Sequence, residues 1–179
     1  MIEGVTYAKQ NDRVSIHFTI SEQHEQLFKA EIGKYINRFS DVDFEISFSY
    51  QHNETNTVAV DLNNNPVLVD GNYLMRPAGH GALIENLNKV EADLIFIKNI
   101  DNVTIPELEP ESSSYKKLLA EVLLRKRDQI FALIEQVKAD HLNEASAFCK
   151  EELQLDLSRK EELLAALNRP IRVCGMVEN

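Results

Sequence analysis

Two hydrophobic rhythms alternate over the first hundred residues, and they limit the possible folds more than any other feature. Val14, Ile16, Phe18 and Ile20 recur at every second position, with Ser15, His17 and Thr19 between them; that is the period of a strand with one buried face. Phe28, Ile32, Tyr35, Ile36 and Phe39 then recur at helical spacing. Ser21 stands before that helix as a cap, and Glu22 and Glu25 lie in its first turn, where acids suit the helix dipole. Phe44, Ile46, Phe48 and Tyr50 form a second alternating strand. Leu94–Ile97 is short, continuous and apolar, as in a parallel strand buried on both faces. The order predicts an α/β fold with strands near residues 14–20, 44–50 and 93–99 side by side and helices on their faces. Residues 1–12 are mixed and say little, at most a fraying helix with Val5 and Ala8 inward.

Between the second and third strands lies Arg76-Pro77-Ala78-Gly79-His80-Gly81, opening a helix over Gly81–Val90. Two glycines let backbone N–H groups approach a ligand, and the helix turns its positive dipole end toward the same place. Flanked by glycines, His80 is poorly placed for a core, and its ring can donate to a ligand; capping the helix is its structural alternative. Arg76 has two readings, a phosphate contact and a surface arginine ahead of a proline. Gln51 and His52 end the second strand, and an amide there can read a nucleobase edge or simply meet solvent. The third strand delivers Lys98, Asn99, Asp101 and Asn102 to the carboxyl edge of the sheet, where ligands of open α/β sheets bind. Gln51, His80 and Asp101 are therefore expected to converge. His17 is expected to be an ordinary strand residue, and Asp61 and Asp70 to be turn residues around Asn63–Pro66 and Asp70-Gly71-Asn72.

The second part of the chain has another character. Pro106, Pro110 and Ser112–Ser114 suggest a polar connector, dividing residues 1–105 from 106–179. Tyr115 to Val137 marks a long amphipathic helix, whose Arg125-Lys126-Arg127 reads as a solvated face. A shorter helix carries Leu142, Ala145, Phe148 and Cys149, the cysteine as core. Ser158-Arg159-Lys160-Glu161 has the form of a capping box for a third helix with Leu163, Leu164 and Leu167. Ile171–Val177 is expected to be a final buried strand.

The 179 residues carry a net charge of −10, which argues against nucleic acid and anionic membranes as partners. No apolar run approaches the roughly 20 residues of a membrane helix, and no signal peptide is evident. Two distant cysteines make a disulfide framework improbable. A cytoplasmic location is expected. No serine or cysteine sits in a nucleophile elbow, and the five histidines lack zinc spacing.

Pro77-Ala78-Gly79-His80-Gly81 followed by Asn99-Ile100-Asp101-Asn102 resembles UTP–sugar-1-phosphate uridylyltransferases and UDP-N-acetylhexosamine pyrophosphorylases, over roughly residues 13–103. More closely, Arg76–Leu87, Ile95–Val103 and Arg169–Asn179 resemble an uncharacterised bacterial family, domain of unknown function 4301, over most of the chain. The enzyme resemblance implies an incomplete Rossmann-like nucleotidyltransferase sheet, of the nucleotide-diphospho-sugar transferase or GT-A kind, with a helical C-terminal region. It implies nucleotide binding by Gln51, Gly79, His80 and Gly81, with Gln51 on the base and His80 on ribose or phosphate. It also implies a Mg2+ ion on Asp101, whose charge would offset crowded phosphate oxygens. Those enzymes have an upstream glycine-rich loop followed by arginine that grips the triphosphate. Among Gly4, Gly33, Gly71, Gly79, Gly81 and Gly175 no such loop can be assembled. The expectation is thus a segment of a longer protein, or a reduced relative, binding a nucleotide or sugar nucleotide weakly and without turnover on its own. The remainder of a full-length chain is then its partner. Two alternatives from other classes are a non-catalytic nucleotide-binding module and a helical interaction domain on a relic α/β scaffold.

Overall fold

The computed structural model describes residues 1–103 and 105–176. They divide into two compact units, 1–103 and 104–179. The first is a small mixed α/β unit and the second is helical. No helix among the described residues is long and apolar enough to cross a membrane.

In the first unit, helix α1 (Ile2–Tyr7) precedes strand β1 (Arg13–Ile20), helix α2 (Glu25–Ile36) and strand β2 (Asp43–Tyr50). The two strands pair in parallel and in full register from Arg13↔Asp43 to Ile20↔Tyr50. That register puts Val14, Ile16, Phe18, Phe44, Ile46 and Phe48 on one face, and Ser15, His17, Thr19, Glu45, Ser47 and Ser49 on the other. The apolar face is covered by helices. Phe28 of α2 lies 5.8 Å from Phe18, ring centre to ring centre, and a Cβ placed on Gly4 of α1 would meet Val14 and Ile16 at 3.2 Å. α1 therefore rides close on β1 because position 4 has no side chain.

The rest of this unit is built from turns. Strand β3 (Thr57–Val58) pairs antiparallel with β6 (Met75–Arg76), and β4 (Leu68–Val69) with β5 (Asn72–Tyr73). Asp70 and Gly71 connect β4 to β5 at φ +50° and +80°, the two-residue hairpin turn that favours Asp-Gly. Asp61 accepts from the Asn63 and Asn65 amides at 2.8 and 2.9 Å, so it holds its turn together and is drawn below the usual carboxylate range by those bonds.

One strand is missing. Leu94–Ile97 makes no strand pairing, so the three-stranded sheet expected near 14–20, 44–50 and 93–99 is a two-stranded one. Side chains hold the segment instead: Phe96 packs on Tyr7 at 4.7 Å, and the Lys98 ammonium pairs with Glu3. Ile95 and Ile97 are exposed, the latter 58%. Apolar content reported a burial requirement here without reporting a ladder partner.

In the second unit, α4 (Glu109–Lys138), α5 (Asn143–Glu152) and α6 (Lys160–Leu167) enclose a single core; α3 (Ile84–Leu87) belongs to the first unit. Ile130, Leu133 and Val137 meet Ala145, Phe148, Cys149, Leu163, Ala166 and Leu167 there. Two sequence signals are corrected. Pro110 and Ser112–Ser114 lie inside α4 rather than in a connector, because proline is tolerated in a first turn. Ser113 is buried and donates to Glu109 at 2.5 Å. α6 starts after Arg159, not Ser158, and Arg159 pairs with Glu162, so the capping box is unused. Residues 171–176 form no strand, contrary to the reading of Ile171–Val177; Val177 lies outside the described residues.

Candidate functional site

The carboxyl end of β2 is where the polar chemistry of the first unit collects. The Tyr50 hydroxyl bonds the Glu25 carboxylate, tying the strand end to the start of α2; that bond raises the tyrosine pKa and, after the larger effect of Lys29, lowers that of Glu25. Gln51 follows, half-buried, and its Nε2 donates to Thr55 Oγ1 at 3.0 Å. Thr55 Oγ1 donates to the His52 carbonyl at 2.6 Å. The Gln51 amide is thereby oriented while its carbonyl stays available as an acceptor.

The glycine loop reaches the same end of the strand through its helix. Residues His80–Leu83 form a 3-10 turn leading into α3, rather than the α-helix over Gly81–Val90 read from the sequence. Asn86 of α3 is only 2% exposed, and its Nδ2 donates to Tyr50 O at 2.8 Å and to Ser49 Oγ at 2.9 Å. Three residues on, Lys89 Nζ lies 2.8 Å from His52 Nε2. A lysine ammonium can only donate, so in this contact His52 Nε2 is the acceptor. On the polar face of the sheet, His17 lies between Ser47 and Ser49, at 2.8 Å from each hydroxyl, as a cross-strand structural residue.

Gly79, His80 and Gly81 are all exposed. Neither glycine has a left-handed φ, and a Cβ on either would meet nothing within 4 Å. The chain's own geometry therefore demands glycine at Gly71 but not at Gly79 or Gly81. Asp101 lies, exposed, in the 3-10 turn Ile100–Asn102 that ends the segment held by Lys98–Glu3. Gln51 and the helix of the glycine loop are brought together; no hydrogen bond or ion pair links Asp101 or His80 to them among the described contacts. Arg76 sits in β6 opposite Thr57, exposed.

Among the described residues no three His, Cys, Asp or Glu side chains gather into a group able to hold a metal. Asp101 offers one carboxylate. Such a donor fits a magnesium ion whose remaining ligands are phosphate oxygens and water, and does not make a protein metal site by itself.

Sequence reasoning passed over Asn86 and Lys89. The signal was present: Leu83, Leu87 and Val90 follow helical spacing, and Asn86 falls within their stripe. A polar residue in an apolar stripe needs a partner, and here β2 supplies it.

The helical unit offers a groove of about 380 Å³ between α4 and α5, with Gln136, Glu144 and Glu151 around Leu133 and Phe148. None of the candidate ligand-binding residues read from the sequence lies in it.

Set against known proteins, the family model described as Domain of unknown function (DUF4301) matches residues 1–179. Neither the curated proteins nor the solved structures contain a significant match.

Proposed function

The chain belongs to the DUF4301 family, and we propose that its first unit is a nucleotidyltransferase-like, Rossmann-related scaffold that binds a nucleotide or sugar nucleotide at the carboxyl end of β2. The observation that carries this reading is the exposed loop Gly79-His80-Gly81 at the entry to a helix anchored on the end of β2. Gly79 and Gly81 are required neither by a left-handed φ nor by a neighbour, and with no side chains they leave the loop backbone open to a ligand. The parallel β1–α2–β2 unit and the anchoring of α3 beside Gln51 support the location.

In this reading Gln51 holds the base, with its amide fixed by Thr55 and its carbonyl free to accept. Gly79, His80 and Gly81 lie along ribose and phosphate. Asp101 would give one ligand to a magnesium ion carried on the phosphates, the ion supplying charge neutralisation. The chain's own residues position and orient, and binding by this set alone is weak, because a single carboxylate leaves most of the ion's ligands to water and phosphate.

The test is Gly81→Ala. Alanine fits the backbone and should leave stability unchanged or raise it by about 0.4–1 kcal/mol, while weakening UTP or UDP-sugar binding in calorimetry. Unchanged binding would remove the reason for placing a ligand on this loop. Turnover with a sugar-1-phosphate, lost on Asp101→Ala, would make the site catalytic rather than a binding module.

A further inference from the structure

Strands β3 to β6 make an arm whose apolar side chains are left in solvent. At its middle, Ala59, Val67 and Leu74 close a ring of backbone bonds. Ala59 N–H donates to Leu74 O at 2.8 Å, Leu74 N–H to Val67 O at 2.9 Å, and Val67 N–H to Ala59 O at 2.9 Å. These three residues are half-buried, and the ring satisfies their backbone groups on one another. Around them Val58, Val60, Leu68, Tyr73 and Met75 are all exposed, at 41–60%. They include two cross-strand pairs, Val58 opposite Met75 and Leu68 opposite Tyr73. The solvent side of a sheet is ordinarily polar, and apolar surface gathered in one place marks a contact site. Because the ring closes the backbone at its middle, a partner there meets side chains rather than adding a strand.

Charge decides what that partner is. From Thr57 to Met75 the only charged residues are Asp61 and Asp70. Asp61 is engaged by the amides of Asn63 and Asn65. Asp70, in the turn before β5, and Arg76, at the end of β6, are exposed and have no ion-pair partner among the described residues. The run from β5 to β6 is therefore apolar in its middle, with a free acid before it and a free base at its end. We propose that the arm docks on the arm of a second copy of this chain, antiparallel about a two-fold axis, with Arg76 of each copy facing Asp70 of the other. Opposite charges at the two ends of one surface are what a two-fold axis makes complementary to itself. Elsewhere two chains of net charge −10 repel, and the arm is where they can approach. Five exposed side chains a copy are few beside the about 20–30 residues of a standard interface, so the dimer is weak and concentration-dependent.

Sedimentation equilibrium of the full chain from about 10 µM to 1 mM tests this, with methyl NMR on the same dilution series. The mass should rise from monomer toward dimer. The methyl signals of Val58, Leu68 and Met75 should move with it, while those of α4, α5 and α6 stay. Tyr73→Lys should abolish the rise, and Arg76→Glu, which sets like charges together at both ends, should weaken the dimer by about tenfold or more. Both positions are exposed, and unchanged amide shifts in β1 and β2 show that each variant is folded. A monomer throughout would leave the arm to a different partner and overturn the proposal. A dimer whose concentration-dependent shifts fall on the helical unit would overturn it too. So would an Arg76→Glu dimer as tight as the native one, since the arms would then meet without their end charges.

Discussion

The two units keep their shape by different means. In the helical unit, nine side chains from three helices are buried together, and Leu163, Val137 and Cys149 have no exposed surface at all. The α/β unit buries few apolar side chains, chiefly Val14 and Ile32, and leaves Ile97, Ile100 and Val103 exposed. Beyond the β1–β2 pair and the helices on its apolar face, its order rests on Asn86 against β2, Lys98 against Glu3, and Phe96 against Tyr7. Hydrogen bonds such as those of Asn86 are worth about 0.5–1.5 kcal/mol each, against about 1.5–3 for a buried aliphatic side chain. The proposed ligand-binding residues thus sit on the less tightly packed unit, as binding loops commonly do.

The largest effect should come from the helical core. Leu163→Ala removes a fully buried side chain at the meeting of α4, α5 and α6, and should cost about 2–5 kcal/mol in urea unfolding. Amide exchange should show the loss in α4–α6 and leave β1 and β2 protected. Equal loss in both units would mean that they unfold together and would break the comparison.

Asn86→Ala should cost less, about 1–3 kcal/mol, because it deletes two hydrogen bonds but also an unmet acceptor. Hydrogen exchange should quicken over residues 80–90 and not in α4. A global loss as large as that of Leu163→Ala would contradict the account of a locally pinned helix.

The smallest effect is an acid-dependent one. Burial works to raise the Glu3 carboxyl, but hydrogen bonds from Lys98 and Tyr7 outweigh it and hold the pKa below its ordinary value. A depressed folded pKa stabilises above the ordinary carboxylate pKa, and the contribution is lost as pH falls through the folded value. Acid should therefore loosen residues 94–98 from α1 first, and Lys98→Met should flatten that part of the pH profile.

Much of the first unit was legible in the sequence because alternation and helical spacing each report one face. β1, α2, β2 and the Asp70-Gly71 turn all follow from such local signals. Leu94–Ile97 did not, since an apolar run states that burial is wanted and not which neighbour provides it. The capping box at Ser158 was outweighed by the Arg159–Glu162 pair. Of the site, Gln51 and the glycine loop were visible as residue types. Asn86 and Lys89 became visible only when a distant strand end supplied their partners, which no local pattern encodes.

The account centres on the carboxyl end of β2 as the ligand-facing part of the molecule, and a backbone amide NMR titration of the full chain with UTP and magnesium tests it most directly. Shifts confined to residues 49–55, 79–90 and 99–102, weak and saturable, with α4, α5 and α6 unmoved, are the predicted result. Shifts centred on the helical unit, or none anywhere in residues 49–102, would contradict it.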